Sequence, residues 1–186
     1  MKNELNKAQL NIANITAANK AKRLLWKIVW LLFFRPSPVF LHQWRCLLLR
    51  LFGANVDSKA LPYPSAKIWA PWNLTMDEYS CLSHNVDCYC VDKIKIGKHA
   101  TVSQRSFLCS ATHDYSKKIT PLPLMTAPIN IESYSWVTSD VFIGPGVTIG
   151  KGSVVGVKSV VINSTLPWSV VAGNPAKHIK YRDILD

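Results

Sequence analysis

Acidic residues are scarce in this chain. Its 186 residues set 11 Asp and Glu against 22 Lys and Arg, a formal net charge of +11. Residues 1–53 carry nine of the basic residues and a single acid, Glu4. A segment so depleted in negative charge points to nucleic acid, an anionic membrane surface or a phosphorylated ligand. No nucleic-acid partner is expected, because the basic residues are spread among large aliphatics and no recognition motif accompanies them. An aliphatic-rich composition with only 18% charged residues argues for a folded chain rather than a disordered one. The five cysteines (Cys46, Cys81, Cys88, Cys90, Cys109) are odd in number and show no CxxC or zinc-ribbon spacing. Cys88 and Cys90 would share one face of a strand, too few ligands for a metal cage, so no metal is expected. All five read as reduced packing residues of a cytoplasmic protein. The apolar run at 24–34 is eleven residues long with Lys27 inside it, short of the ~20 needed to span a bilayer. Met1 to Asn19 is polar, and no cleavable signal peptide is expected.

What the chain has in abundance is a period of six. An aliphatic residue recurs at Ile96, Val102 and Leu108, then at Ile131, Val137, Ile143, Ile149, Val155 and Val161. Four places after each stands a small or β-branched residue: Ala100, Ser106, Thr112, Ser135, Val141, Val147, Ser153, Ser159 and Thr165. Gly97, Gly144, Gly150 and Gly156 directly follow four of the aliphatics. A six-residue period suits neither an amphipathic helix nor a hairpin sheet. It suits short strands coiled so that one aliphatic per strand points inward and a small residue fits each corner. The same beat is expected upstream at Val56, Pro62, Ile68, Leu74, Ser80 and Val86, with Ala60 and Ala66 at corners and a slip in register before Ile96. Asn85 and Asp87, polar groups beside that slip, form either a solvated turn or the wall of a pocket that recognises hydroxyls.

The chain divides into three parts. Residues 1–53 comprise a mobile stretch (1–20) followed by a basic helical arm. The run at 24–34 stops at Arg35-Pro36-Ser37-Pro38, and a second helix follows from Val39 to Phe52, capped by Gly53. Basic residues among Trp and Leu fit a helix lying in a membrane interface. They fit equally a helix packed on the domain or a neighbouring subunit, with Lys and Arg on the wet face. Residues 54–171 form the coiled β domain, interrupted by a loop at 114–130. Residues 172–186 are expected to form a turn and a short helix.

The interruption opens one residue after His113, and long loops in a compact repeat are usually functional. Pro121, Pro123 and Pro128 stiffen it into a lid. An imidazole there can take a proton from a hydroxyl near neutral pH. Asp114 adjoins His113, but neighbours along a strand point apart, so a backbone carbonyl or another carboxylate is the expected partner of the ring.

The hexads at 96–165, Ser-Ala-Thr-His-Asp at 110–114, Gly-Pro-Gly-Val-Thr-Ile-Gly at 144–150 and Ala-Gly-Asn-Pro-Ala-Lys at 172–177 resemble the hexapeptide-repeat acyltransferases. Within that family the chain is most similar to the colanic acid biosynthesis acetyltransferases of exopolysaccharide pathways, through Trp44-Arg45, the 48–54 segment and Pro71-Trp72 as well. The resemblance implies an all-β fold, a left-handed parallel β-helix, assembled as a homotrimer. It implies acetyl-CoA as co-substrate and His113 as the general base for an acceptor hydroxyl. Carried over residue by residue, Ser139 contacts the thioester end of acetyl-CoA and Trp136 lines the pantetheine groove. Val157 and Asn163 follow the pantetheine arm, and Lys177 meets the phosphates. Trp136 as a trimer-packing residue and Lys177 as a solvated lysine remain alternatives. Ile162-Asn163 departs from the Thr-Lys pair common in the family, leaving Lys158, Lys177 or Lys180 to supply charge. Asn85 and Asp87 are the candidates for holding a sugar acceptor. The implied reaction is O-acetylation of a sugar in exopolysaccharide or surface-glycan synthesis, at the cytoplasmic face of the membrane if the acceptor is polyprenyl-linked. A soluble small acceptor and a non-catalytic assembly scaffold are the other readings.

Overall fold

The computed structural model describes residues 10–13 and 15–184. Short parallel strands climb a three-sided stack of about six turns. Face I is made by Asn55–Val56, Leu74–Met76, Ile94–Ile96, Ile129–Ile131 and Thr148–Ile149. Face II stacks Leu61–Pro62, Cys81–Leu82, Thr101–Val102, Trp136–Val137, Val154–Val155 and Ser169–Gly173. Face III stacks Lys67–Ile68, Asp87–Tyr89, Phe107–Cys109, Phe142–Ile143 and Val160–Val161. Strand register brings one inward side chain of each coil directly over the last. Behind face I the column runs Val56, Met76, Ile96, Ile131, Ile149. Behind face III it runs Ile68, Cys88, Leu108, Ile143, Val161. Every one of these side chains is buried, so the period of six is the period of the core. The left hand of the coil comes with the family.

The expected beat through Leu74, Ser80 and Val86 needs correction. A 3-10 turn at Pro71–Asn73 inserts two residues, and the Asn73 side-chain amide donates to the carbonyls of Cys90 (3.1 Å) and Val91 (2.8 Å) in the next coil. The first coil is therefore twenty residues long, pairing Val56 with Met76; the second, Met76 to Ile96, is also twenty, its two extra residues falling between Cys88 and Ile96 at the expected slip. Met76, Leu82 and Cys88 take the inward columns, while Leu74, Ser80 and Val86 fill corners.

Corners are built by a device the hexad pattern does not display. Tyr79, His99, Tyr134 and Trp168 on one edge, and Asn85, Arg105, Asp140 and Lys158 on the next, all have φ between 55° and 64°. That left-handed backbone is uncommon outside glycine. The residue that follows each is small or β-branched and buried. Where it is serine its hydroxyl donates to a backbone carbonyl, as Ser80 to Asp77 (2.6 Å) and Ser135 to Glu132 (2.6 Å). Gly97 and Gly150 serve instead for close approach. A Cβ on Gly97 would stand 2.6 Å from the Ser133 nitrogen, and one on Gly150 would stand 2.7 Å from the Pro167 nitrogen.

The arm begins with α1 (Ala17–Val29), capped by the Thr16 hydroxyl, and continues through a wider π-turn, Trp30–Phe34. Helix α2 (His42–Leu51) packs across the first coil. Trp26 and Phe34 are buried against the solenoid, and the Trp26 and Trp30 indoles donate to the carbonyls of Ile68 (2.7 Å) and Ala66 (2.9 Å). Packing on the domain is thus real, but the opposite helix face is bare. Arg45 departs from the expected wet face. It is fully buried, donating to the carbonyls of Pro62 (2.7 Å), Pro38 (2.8 Å) and Val39 and to the Ser37 hydroxyl (2.8 Å). Carbonyls satisfy the guanidinium in place of a carboxylate, which makes its burial tolerable.

Two further expectations are revised. The mobile reading of residues 1–20 falls partly on 1–9 and 14, outside the described residues; Asn11–Ile12 is a strand paired to the 114–130 loop. The short helix expected at 172–186 is a hairpin instead. Ser169–Gly173 turns at Asn174-Pro175 and returns antiparallel as Ala176–Tyr181, where it caps the edge that face II would otherwise leave open. Ile143→Ala should cost about 2–5 kcal/mol and lower the unfolding midpoint by roughly 5–15 °C in calorimetry. Ile162→Ala, at a 56% exposed position, should leave it nearly unchanged.

Candidate active site

His113 sits where the stack is broken. After Phe107–Cys109 the chain leaves the III/I corner as the strand Ala111–His113 and returns antiparallel as Leu124–Thr126, rejoining face I at Ile129. Ser110 anchors the exit: its hydroxyl donates to the Tyr89 carbonyl (2.9 Å) and accepts from the Asp92 amide (2.9 Å). The ring of His113 is exposed, and its Nδ1 lies 3.1 Å from the Leu122 carbonyl. A carbonyl only accepts, so Nδ1 carries the proton and Nε2 is left with a free lone pair. The ring's partner is therefore a backbone carbonyl of the lid itself. Asp114 turns away: its carboxylate accepts from the Ser116 amide (3.0 Å) and hydroxyl (2.5 Å). Those bonds, the hydroxyl's first, hold its pKa below the ordinary Asp value.

The residues expected to hold acetyl-CoA fall in two places. Trp136 lies on face II, half exposed, its indole N–H donating to the Ser103 hydroxyl (2.9 Å). Ser139 occupies the II/III corner of the same coil. Val157 stands in that corner one coil higher, where the Lys158 amide donates to the Ser139 carbonyl (3.1 Å). Above these, Gly156 lies against Ala172, and Ala172 pairs with Lys177 across the hairpin. Trp136, Ser139, Val157 and Lys177 thus ascend one edge of the prism. The edge offers an exposed aromatic face at the bottom, small groups in the middle, and Lys158, Lys177 and Lys180 at the top. This order suits a long ligand with a thin apolar arm and an anionic end. Asn163 does not join them; it lies beyond Val160–Val161, at the far edge of face III. His113 also leaves from that far edge. A single chain therefore presents His113 and the ascending edge a face's width apart.

The two acceptor candidates also separate. Asn85 holds a left-handed corner position (φ 55°), and its amide donates to the Ser65 hydroxyl (3.0 Å). Asp87 points outward from face III into a cleft of about 430 Å³ beneath α1, where Arg23, Lys67, Trp69 and Tyr89 also line the wall. Burial raises the Asp87 pKa, with Lys67 opposing the shift. Arg23 stacks over Trp69 at 4.1 Å, and Trp69, Tyr89, Phe107 and Phe142 form an edge-on aromatic ladder up the face. The ladder leads to the strand that His113 follows. Trp69 and Tyr89 were missed from sequence; their separation of twenty residues exposes them only once the coil length of twenty is known. Among the described residues no group of three His, Cys, Asp or Glu side chains could hold a metal ion.

A solenoid of hexads, broken by a loop whose Leu122 carbonyl holds a histidine ring at its base, defines the class as a hexapeptide-repeat acyltransferase. No protein-family profile matches the chain. It is 42% identical over 165 residues to the Escherichia coli (strain K12) protein named "Putative colanic acid biosynthesis acetyltransferase WcaF", covering 88% of this chain and 89% of that one. It superposes with a TM-score of 0.79 on the Vibrio cholerae hexapeptide-repeat acetyltransferase VCA0836, solved with acetyl-CoA, at 26% identity over 91% of each chain. A maltose O-acetyltransferase from Clostridium difficile 630 shares the fold, with a TM-score of 0.79 at 23% identity over 95% of this chain and 94% of that one. The chain belongs to the hexapeptide-repeat acetyltransferase family, alongside the WcaF proteins.

Because the Asp114 carboxylate is engaged by Ser116 and not by the imidazole, Asp114→Asn should keep turnover within about threefold of wild type. A loss as large as that of a His113 variant, measured as CoA release, would show the carboxylate orienting the ring.

Proposed function

We propose that the protein is an acetyl-CoA-dependent O-acetyltransferase that acetylates a sugar hydroxyl of an exopolysaccharide or surface-glycan precursor. The observation that carries this reading is His113: Nδ1–H is pinned by the Leu122 carbonyl, and Nε2 faces solvent as a base. Acetyl-CoA supplies an acyl group already activated as a thioester. His113 Nε2 accepts the proton of the acceptor hydroxyl as that oxygen bonds to the acyl carbon, and CoA leaves as the thiolate with the electron pair of the broken C–S bond. The resulting imidazolium, held by the same carbonyl, returns its proton to the departing sulfur. General-base help of this kind contributes ~10²–10⁴ in rate, with the remainder from holding both substrates in line.

The acceptor cleft beneath α1 fits a glycan. Trp69, stacked by Arg23, and Tyr89 give the cleft an aromatic wall for sugar C–H groups, Asp87 accepts from hydroxyls, and Arg23 with Lys67 favours an anionic group such as the phosphate of a polyprenyl-linked precursor. Such an acceptor places the enzyme in the cytoplasm at the membrane surface. The separated halves of the site suit a homotrimer in which the Trp136–Lys177 edge of one copy closes on His113 of its neighbour.

His113→Ala should reduce acetyl-CoA-dependent CoA release at least 100-fold while acetyl-CoA binding persists; undiminished turnover would sink the mechanism. Trp69→Ala should raise the acceptor KM about tenfold or more and leave the acetyl-CoA KM unchanged. Co-expressing His113→Ala with Trp136→Ala should restore activity above that of either variant alone. Failure of this complementation would place both halves of the site within one chain.

A further inference from the structure

We propose that the α1–α2 hairpin is a docking surface for an anionic phospholipid bilayer, on which it lies flat. The inner side of the hairpin is spent on the solenoid through Trp26, Phe34, Cys46 and Leu49. The outer side is apolar and bare. From α1 and its π-turn it presents Leu25, Ile28, Leu31 and Leu32, the last 57% exposed. From α2 and its approach come Phe40 (79% exposed), Trp44, Leu47 and Leu51 (71% exposed). The Trp44 indole of the second helix donates to the Phe33 carbonyl of the π-turn (3.0 Å), joining it to the end of the first. Together the two helices expose more apolar side chains than the scattered ones usual on a soluble protein.

Charge selects the occupant. Lys20, Lys27 and Arg35 stand exposed on the same hairpin, and no Asp or Glu occurs from residue 10 to residue 53. Basic residues flanking a Leu- and Trp-rich face are the composition of a helix seated at the headgroup boundary of anionic lipid. A second copy of this chain is the poorer partner, since self-association through this face would bring two acid-free basic segments together. No described helix is long and apolar enough to cross a membrane, so the hairpin rests on the bilayer and does not thread it.

Docking does not depend on the acetyltransferase reading, although that reading gives it a purpose: the cleft beneath α1 lies on the other side of the same helix. The test is flotation of the full chain with phosphatidylcholine vesicles and with vesicles containing about one-third phosphatidylglycerol. A Leu32→Glu/Leu47→Glu variant and a Lys20→Glu/Arg35→Glu variant are run beside it. The wild type should float with the anionic vesicles at least tenfold more than with the neutral ones. Both variants should lose that binding about tenfold or more while keeping the wild-type unfolding midpoint. The charge-reversal variant, which alters only exposed side chains, keeps the test valid if the leucine variant is unstable. Undiminished flotation of that variant, equal binding to neutral vesicles, or a fall in solution mass of Leu32→Glu/Leu47→Glu without loss of vesicle binding would each overturn the proposal. Acetyl-CoA binding, measured on the same samples, tests the acetyltransferase reading separately. Vesicle binding without acetyl-CoA binding would remove the function and leave the docking surface.

Discussion

The whole stack depends on turning a corner without letting water in. Each coil must reverse direction three times within eighteen to twenty residues, and each reversal carries polar backbone close to the core. The protein meets this with a pair of adjacent residues. One adopts a left-handed backbone and points its side chain out, and the next is small enough to sit inside the bend. Where that second residue is serine, its hydroxyl donates to a carbonyl of the turn, as at Ser80, Ser135 and Ser159; at the first two it joins the serine's own backbone amide on that oxygen. Among the described residues no buried side-chain polar atom lacks a partner. Once the corners are satisfied, the aliphatic columns stack by repetition alone.

Such regularity gives a break in it special weight. Between the third and fourth coils the chain leaves one corner and returns to it, and Ile129 still pairs with Ile94 as though nothing had intervened. The scaffold therefore holds His113 at a fixed height while the lid supplies the carbonyl that sets its tautomer. Beneath, the aromatic ladder from Trp69 to Phe142 rises along the same face, and Asp87 waits in the cleft that α1 roofs over. His113, its loop and the cleft lie on one side of the chain; the edge from Trp136 to Lys177 lies on another side of the same chain.

How much of this was legible in the sequence follows from what kind of force writes each feature. The inward columns are written by burial, which favours aliphatics, so Ile96 to Val161 could be counted off directly. The exceptional position of His113 was readable because a seventeen-residue gap interrupts that count. The twenty-residue coils were misread at Leu74, Ser80 and Val86 because corner and core both accept apolar or small residues; only the Pro71–Asn73 turn distinguishes them. Arg45 was misplaced because its partners are carbonyls, which every residue possesses and no sequence pattern marks. The hairpin at 176–181 was taken for a helix because Lys-His-Ile-Lys carries no strong period, and its strand form is imposed by the edge it covers.

That hairpin also answers a problem every solenoid has at its ends. An open stack of parallel strands offers a ready template on which another copy could add coil upon coil, and such growth has no natural limit. Here α2 closes the lower end over the first coil. At the upper end the antiparallel return reverses the direction of the outermost strand of face II, while Arg182 reaches back to the carbonyls of Tyr134 and Gly152. The edge left facing solvent bears Lys177 and the Lys180–Asp183 pair, and charged groups on an edge strand disfavour the addition of a further strand. The hairpin that carries the lysines proposed for an anionic ligand thus also keeps the stack from growing.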